Sequence, residues 1–175
     1  AARAKPFAER DLQELQAFAR ERLGLHDLQA WDLAFASERL RQERYAFSDL
    51  EVKQYFPEDK ALAGMFGVVQ TLYGVTIAPD EAPRWHEDVR FFSIRDGDGA
   101  LVGQFYVDLY ARPSKRGGAW MDDAITRRRK AGRLQTPVAY LNCNFSRPVG
   151  GKPALLTHDE VITLFHEFGH GLHHL

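Results

Sequence analysis

The chain contains 175 residues with a formal net charge of -1, from 23 basic and 24 acidic side chains, and 45% of its residues are hydrophobic. These values are close to the averages for soluble globular domains, so they exclude the disordered and fibrous classes. The balanced charge offers no attraction to a polyanion or an anionic lipid surface, so we predict neither nucleic-acid nor membrane binding. Cys143 is the single cysteine, which excludes an internal disulfide and favours a cytoplasmic location.

Two amphipathic helices are predicted at the start of the chain. The first runs from Pro6 to Leu23 and ends at Gly24, a typical residue for the position after a helix. The second is predicted from about Asp27 to Tyr45, because apolar residues recur there at helical spacing. Its predicted buried stripe consists of Leu28, Trp31 and Phe35.

A third long helix is predicted after Pro57, with the proline at its first helical position and Gly74 after its last residue. Just before it, Ser48 and Glu51 have the spacing of a capping box and predict a short helix. The predicted buried face of the long helix consists of Leu62, Phe66, Val69 and Tyr73.

A β-hairpin is predicted next, because the periodicity changes after Pro79. The segments Val89 to Arg95 and Leu101 to Tyr110 are rich in β-branched and aromatic residues and flank an Asp-Gly-Asp-Gly turn. The second strand has an apolar side and a polar side, and the polar side is predicted to face solvent or a ligand. One hypothesis is that this strand, or the segment just after it, binds an extended peptide by strand addition.

The region from Pro113 to Gly151 is predicted to form long loops around a short strand, Val138 to Cys143, because it is rich in glycine, proline and basic residues. The basic run Arg127 to Lys130 is interpreted as a solvated surface, because acidic residues precede it. Cys143 is interpreted as a buried, unreactive thiol, which is the commoner state of a free cysteine.

The most informative motif lies in a helix near the end of the chain. Thr157 and Glu160 have the spacing of a capping box, which predicts a helix beginning there. At 100° per residue, His166 and His170 lie about 40° apart on one side of that helix. The opposite, apolar side is predicted to be buried and consists of Val161, Leu164, Phe165, Phe168, Leu172 and Leu175.

The sequence His-Glu-x-x-His on such a helix is typical of a zinc site, since residues four apart can direct two imidazoles at one ion. His166 and His170 are therefore predicted zinc ligands. Glu167, beside the metal rather than on it, is predicted to act as a general base towards water. We also expect something to approach the helix closely at Gly169 and Gly171, because glycine in a helix interior is otherwise unfavourable.

A catalytic zinc site needs a third protein ligand. A metzincin motif would require Gly at the position of His173, so that class is disfavoured. His173 itself lies about 10.5 Å along the axis from His166, too far for both rings to bind one ion. The third ligand is therefore expected from a later segment, and His166 and His170 as ordinary surface residues remain the alternative.

The residues from Pro137 to Leu175, PVAYLNCNFSRPVGGKPALLTHDEVITLFHEFGHGLHHL, resemble the zinc region of the oligopeptidase A and thimet oligopeptidase family of metallopeptidases. The resemblance extends over nearly the whole chain. It includes EVKQYFP at 51–57, WHEDV at 85–89, GQFYVDLY at 103–110 and KRGGAW at 115–120.

The resemblance implies a mostly α-helical, two-lobed fold around a channel, one Zn²⁺ per protein, and hydrolysis of short peptides, including degraded signal peptides, in the cytoplasm. It also implies a glutamate as third ligand, further along the chain. The expected fold class is α+β, mostly α with a small antiparallel β-hairpin or sheet. The chain is expected to be a partial catalytic domain, truncated at both ends, with helices at 1–78, the hairpin and loops at 79–151 and the zinc helix at 152–175.

Two hypotheses follow from these observations. In the first, the chain is part of a zinc metalloendopeptidase that uses Glu167 to activate water. In the second, the chain as it stands is a non-catalytic metal-binding or scaffold piece, because the third ligand is missing. The sequence does not define the oligomeric state, the cleavage preference or the length limit on substrates.

Overall fold

The computed structural model describes residues 2–46 and 49–175, with residues 49 and 50 described by their backbone alone. The predicted capping residue Ser48 lies outside the described residues. The chain divides into two compact units, Ala1–Val52 and Lys53–Leu175. A short helix, α3 (Asp49–Lys53), spans the boundary. None of the helices in the described part of the chain combines the length and apolar character needed to cross a bilayer.

The first unit contains α1 (Lys5–Leu23) and α2 (Leu33–Tyr45). α1 ends as predicted, because Gly24 adopts the left-handed conformation with φ 69° that a side chain would disfavour. The core of this unit is small, with Leu15, Ala19 and Ala36 at its centre. An ion pair between Arg22 and Glu43, with 3.1 Å between Nη2 and Oε1, joins the two helices at the surface.

The prediction for α2 is wrong in its start and its buried face. The helix begins at Leu33 rather than Asp27, because the Asp32 carboxylate accepts a hydrogen bond from the Gln29 backbone N–H (3.1 Å) and holds a turn there. Leu28 packs against the core as predicted, but Trp31 and Phe35 are 79% and 52% exposed. The face towards α1 is instead formed by Ala36 and Leu40, which lie one turn apart and allow close packing of the helices.

The second unit consists of helices on one face of a sheet. The helices are α4 (Glu58–Tyr73) and α5 (His158–His174). The strands are β1 (Thr76–Pro79), β2 (Arg90–Arg95), β3 (Leu101–Tyr110), β4 (Trp120–Ile125), β5 (Arg128–Lys130), β6 (Arg133–Gln135) and β7 (Val138–Phe145). Five of them form one sheet in the order β1-β2-β3-β7-β4, and β5 and β6 form a separate hairpin.

The predicted β2–β3 hairpin is confirmed, and its register pairs Phe92 with Phe105. Its turn is held by Asp96, whose Oδ1 accepts hydrogen bonds from the backbone N–H groups of Asp98 (3.0 Å) and Ala100 (2.8 Å). Such a carboxylate-held turn is typical of Asp in loops.

The predicted loops at 113–151 are in large part strands, so this prediction is wrong for β4, β5 and β6. β4 is rich in charged and exposed residues and lacks an alternating pattern. Its strand conformation comes from antiparallel pairing with β7, which is later in the chain. β7 also pairs in parallel with β3. The fold is therefore mixed, with a sheet larger than the predicted hairpin and with one parallel pair.

The main core lies between this sheet and the helices α4 and α5. Phe105 of β3 contacts Phe168 of α5 edge-on, with 5.3 Å between ring centroids. The prediction for α4 is confirmed for Leu62 and Val69, which are buried, and wrong for Tyr73, which is 63% exposed. Pro57 occupies the N-cap rather than the first helical position, with an extended ψ of 136°.

Candidate metal centre

The start of α5 is set by a complete capping box, as predicted. The Thr157 hydroxyl accepts a hydrogen bond from the Glu160 backbone N–H (3.1 Å), and the Glu160 carboxylate accepts one from the Thr157 backbone N–H (2.7 Å). Two of the unpaired donors at the helix N-terminus are thereby satisfied. The capping box thus sets the residue at which the helix begins. The direction of each later side chain then follows from the rotation of about 100° per residue.

α5 packs closely on the sheet at Gly171. A Cβ added there would lie 2.7 Å from Cδ2 of Leu141 on β7, so only glycine allows this separation without a shift. The predicted close approach is confirmed at this position. At Gly169 an added Cβ would meet nothing within 4 Å among the described residues.

The rotation of α5 differs from the prediction. Leu164 and Phe168 are buried as expected, but Phe165 is 40% exposed, and Glu167 is only 8% exposed. Because successive residues are about 100° apart, Phe165 points away from the sheet when Leu164 points towards it, whereas Glu167 stays within about 60° of Leu164. The buried face of α5 therefore includes Glu167 and Gly171 and excludes Phe165, so it is rotated relative to the face predicted from the apolar residues.

The two histidines converge on the opposite, exposed side of α5. The Nε2 atoms of His166 and His170 lie 3.1 Å apart. Their rings are inclined at 80°, with 4.7 Å between centroids. Two imidazole nitrogens on a tetrahedral zinc ion at about 2.1 Å would be about 3.4 Å apart. The donor chemistry and spacing of this pair therefore fit zinc.

The described residues contain no group of three or more His, Cys, Asp or Glu side chains arranged to hold a metal ion. His173 and His174 are not part of the pair. His173 is exposed, and Nε2 of His174 lies 3.0 Å from the carbonyl oxygen of Ile125. A catalytic zinc requires three protein ligands, and this pair offers two imidazole donors.

Glu167 lies between the histidines in sequence but on the buried flank of the helix. Its carboxylate has no hydrogen-bond partner in the described part of the chain. Burial, together with the nearby negative charge of Glu167, raises the pKa of the Cys143 thiol to about 12. The thiol is fully buried and protonated at neutral pH, which agrees with the interpretation of Cys143 as unreactive.

The end of α5 is joined to the edge strand of the sheet, and the sequence pattern gave no indication of this. Besides the contact of His174 with Ile125, the guanidinium of Arg127 donates to the carbonyl oxygen of Leu175 (3.1 Å) and to that of Val102. β4 pairs with β7 on one side only, at the end of the sheet. The helix that carries the histidines is thus held beside a strand with a free edge.

The polar side of β3 lies on the sheet face opposite α5 and is largely occupied by a charged network. Asp108 is 2% exposed and accepts hydrogen bonds from Arg112 (2.8 Å), Lys115 (2.9 Å) and the Trp85 indole (3.1 Å). Burial opposes ionisation of Asp108, but these donors outweigh it and lower its pKa. A cavity of about 920 Å³ opens beside the network.

The hypothesis that β3 itself takes a peptide by strand addition is wrong. β2 occupies one edge of β3 and β7 occupies the other. A strand paired on both sides has no backbone groups left for a further strand. The free edge of β4 remains available to that mode of binding.

Comparison with known proteins identifies the family. The model of peptidase family M3 matches residues 1–175. Oligopeptidase A of Escherichia coli is 57% identical over 177 aligned residues, covering 100% of this chain and 26% of that protein. The organellar oligopeptidase A of Arabidopsis thaliana is 42% identical over 96% of this chain and 22% of its own length. A dipeptidyl carboxypeptidase of Salmonella typhimurium is 44% identical over 87% of this chain and 22% of its own length.

The chain spans about a quarter of the length of the curated relatives it matches. The match covers all the segments on which the resemblance rests, and the predicted resemblance to oligopeptidase A is confirmed. The chain belongs to peptidase family M3.

Proposed function

We propose that the protein is a zinc metallopeptidase that hydrolyses short peptides, with His166 and His170 as zinc ligands and Glu167 as general base. The observation that supports this most directly is the pair of Nε2 atoms 3.1 Å apart, with a glutamate, 8% exposed as a residue, directly after the first histidine. The names of the relatives, oligopeptidase A and dipeptidyl carboxypeptidase, agree with a peptide substrate.

Each of the three residues has a separate task in this proposal. Zinc, when bound, supplies Lewis acidity that polarises a peptide carbonyl. His166 and His170 hold it through neutral Nε2 atoms, and a ligand from a later segment completes the set. Glu167 accepts a proton from the attacking water and passes it to the leaving amine, which a carboxylate without a competing hydrogen bond is free to do.

The peptide itself is proposed to lie along the free edge of β4. Residues 122–125 of this strand are exposed, and its end contacts His174, one helical turn beyond His170. An extended peptide there gains backbone hydrogen bonds that do not depend on its sequence. This mode of binding suits an enzyme that accepts varied short peptides in the cytoplasm.

The test compares Glu167→Gln with the unchanged full-length protein that contains these residues. The substitution keeps the shape of the side chain but removes the base, so kcat should fall by about 10²–10⁴-fold on a fluorogenic peptide. Bound zinc, measured by elemental analysis, should be unchanged. His166→Ala should instead lose the zinc.

Asp159→Asn is the matched control, since Asp159 is an exposed carboxylate on the same helix. It should leave both zinc content and kcat unchanged. Turnover retained in Glu167→Gln would contradict the role of the base, and zinc retained in His166→Ala would contradict the ligand assignment.

A further inference from the structure

A strongly basic segment follows the edge strand β4. Residues 126–136, which we call the basic arm, contain five cationic side chains and no acidic one. The arm folds as the β5–β6 hairpin, whose two-residue turn has Ala131 at φ 51° and Gly132 at φ 76°. A tight turn of this kind fixes the register of the hairpin and therefore the direction of each side chain.

Three of the cations share one face of the arm. The register pairs Arg128 with Gln135 and Lys130 with Arg133, and alternate residues of a strand point to the same side. Arg128, Lys130 and Arg133 are all exposed, and we call them the basic face. Like charges directly opposite each other destabilise a hairpin, so the Lys130–Arg133 pair does not serve local stability.

Within the described part of the chain, no acidic side chain pairs with the charged groups of the basic face. Lys130 and Arg133 have no side-chain hydrogen bond or ion pair among the described residues, and Arg128 contacts the neutral amide of Gln135 (3.1 Å). Exposed cations normally find acidic neighbours on a balanced surface. The face is therefore a concentrated positive patch in a chain whose net charge is -1.

The base of the arm is fixed beside the candidate metal centre. The contact of His174 with Ile125 lies four residues, or about 6 Å along the helix axis, beyond His170. Arg127 bonds the carbonyl oxygens of Leu175 and Val102 and so anchors the first residues of the arm. The basic face thus extends from the end of the strand along which the peptide is proposed to lie.

We propose that the basic face binds acidic side chains of peptide substrates and so determines specificity. This inference rests on the proposed function. β4 itself carries Asp122 and Asp123, which repel an acidic residue from the middle of the strand. Repulsion at β4 and attraction at the arm together place a Glu or Asp of the peptide at the arm end of the site. One alignment of the peptide along β4 is therefore favoured over the others.

The experiment uses pairs of peptides, and the two members of a pair differ only by Glu or Gln at one position. Each pair places this difference at another position along the peptide. The enzymes are the unchanged full-length protein and its variant R128Q/K130Q/R133Q. For the position that reaches the arm, kcat/KM for the Glu peptide should fall about five- to twentyfold in the variant, mainly through KM. The Gln peptide should be cleaved equally well by both enzymes. At about 0.5 M NaCl the difference should largely disappear, because exposed charges are screened.

The matched control is R20Q/K60Q/K152Q, which also removes three exposed cations and lies outside the arm. It should not change the preference for Glu over Gln. A protein that cleaves neither peptide would contradict the proposed function, whereas one that cleaves both peptides with no difference between the variants would contradict only the role of the arm.

Binding without turnover gives an independent measurement. In the Glu167→Gln background, fluorescence anisotropy should show weaker binding of the Glu peptide when the basic face is removed. The inference would be overturned if the face instead retained a single-stranded oligonucleotide or anionic vesicles while the affinity for both peptides stayed the same. It would also be overturned if the substitutions lowered the melting temperature and left the Glu preference intact.

Discussion

The two faces of the five-stranded sheet are built from alternate residues of the same strands and have opposite character. On one face, Phe105 and Val107 of β3 and Leu141 of β7 pack against the helices α4 and α5. On the other face, Asp108 is buried in a network with Arg112, Lys115 and Trp85. The first face positions the helix that carries the histidines, and the second fixes the loop that follows β3.

The two faces therefore respond differently to substitution. Apolar contacts are individually weak and numerous, so the loss of one contact removes only a small part of the packing energy. A buried charge has no such tolerance, because removing its partner leaves an uncompensated ion. The helix that carries the histidines therefore rests on the face where the loss of one contact costs less, and the opposite face depends on one charged network.

Substitution of the charged network on the polar face should cause the greatest loss of stability. Asp108→Ala leaves Lys115 and Arg112 buried without their carboxylate and should lower the free energy of unfolding by about 3–5 kcal/mol. Asp122→Ala, on the exposed edge strand, should change it by less than about 0.5 kcal/mol. Urea denaturation of both variants measures the contrast, and equal losses would show that the network does not stabilise this face.

A smaller effect is expected where α5 meets the apolar face. Gly171→Ala pushes a methyl group into Leu141 and should cost about 1 kcal/mol net, because packing strain of about 1–3 kcal/mol is partly offset by better helix propensity. Gly169→Ala, with open space around it, should stabilise by about 1 kcal/mol. Adding Leu141→Ala should relieve the strain of Gly171→Ala, so the double variant should be less destabilised than the sum of the single ones. Additive losses would contradict the contact.

The smallest effect concerns the thiol on the apolar face. The folded pKa of Cys143 is raised from 9.0 to about 12, so its contribution to stability is complete below pH 9 and is lost as the pH rises towards 12. Cys143→Ala should remove this alkaline part of the stability profile. At pH 8 a thiol reagent should react with the unchanged protein only after urea is added. Rapid reaction with the folded protein would show that the apolar face opens to solvent.

Local sequence patterns predicted the features that local interactions control. The helix ends at Gly24 and Gly74 were predictable because each residue adopts a left-handed conformation. The capping box at Thr157 fixed the start of α5, and four-residue spacing brought His166 and His170 together.

The features that sequence patterns missed depend on distant partners. β4 is a strand because β7 pairs with it, and the exposed face of α2 follows from its packing on α1. The burial of Glu167 depends on the rotation of α5 about its own axis where it packs against Leu141. The spacing of apolar residues in the sequence does not determine that rotation. The contact of His174 with Ile125 joins residues 49 positions apart.

The position of β7 between β3 and β4 has a consequence for synthesis of the chain. β4 leaves the ribosome before its partner, so residues 120–125 must wait unpaired until residues 138–145 have been made. During that interval an exposed strand is open to pairing with other chains. Between two copies of this chain, the aspartates of β4 repel each other, as do the cations that follow it. This repulsion opposes pairing of nascent chains with one another until β7 inserts and completes the surface on which α5 docks.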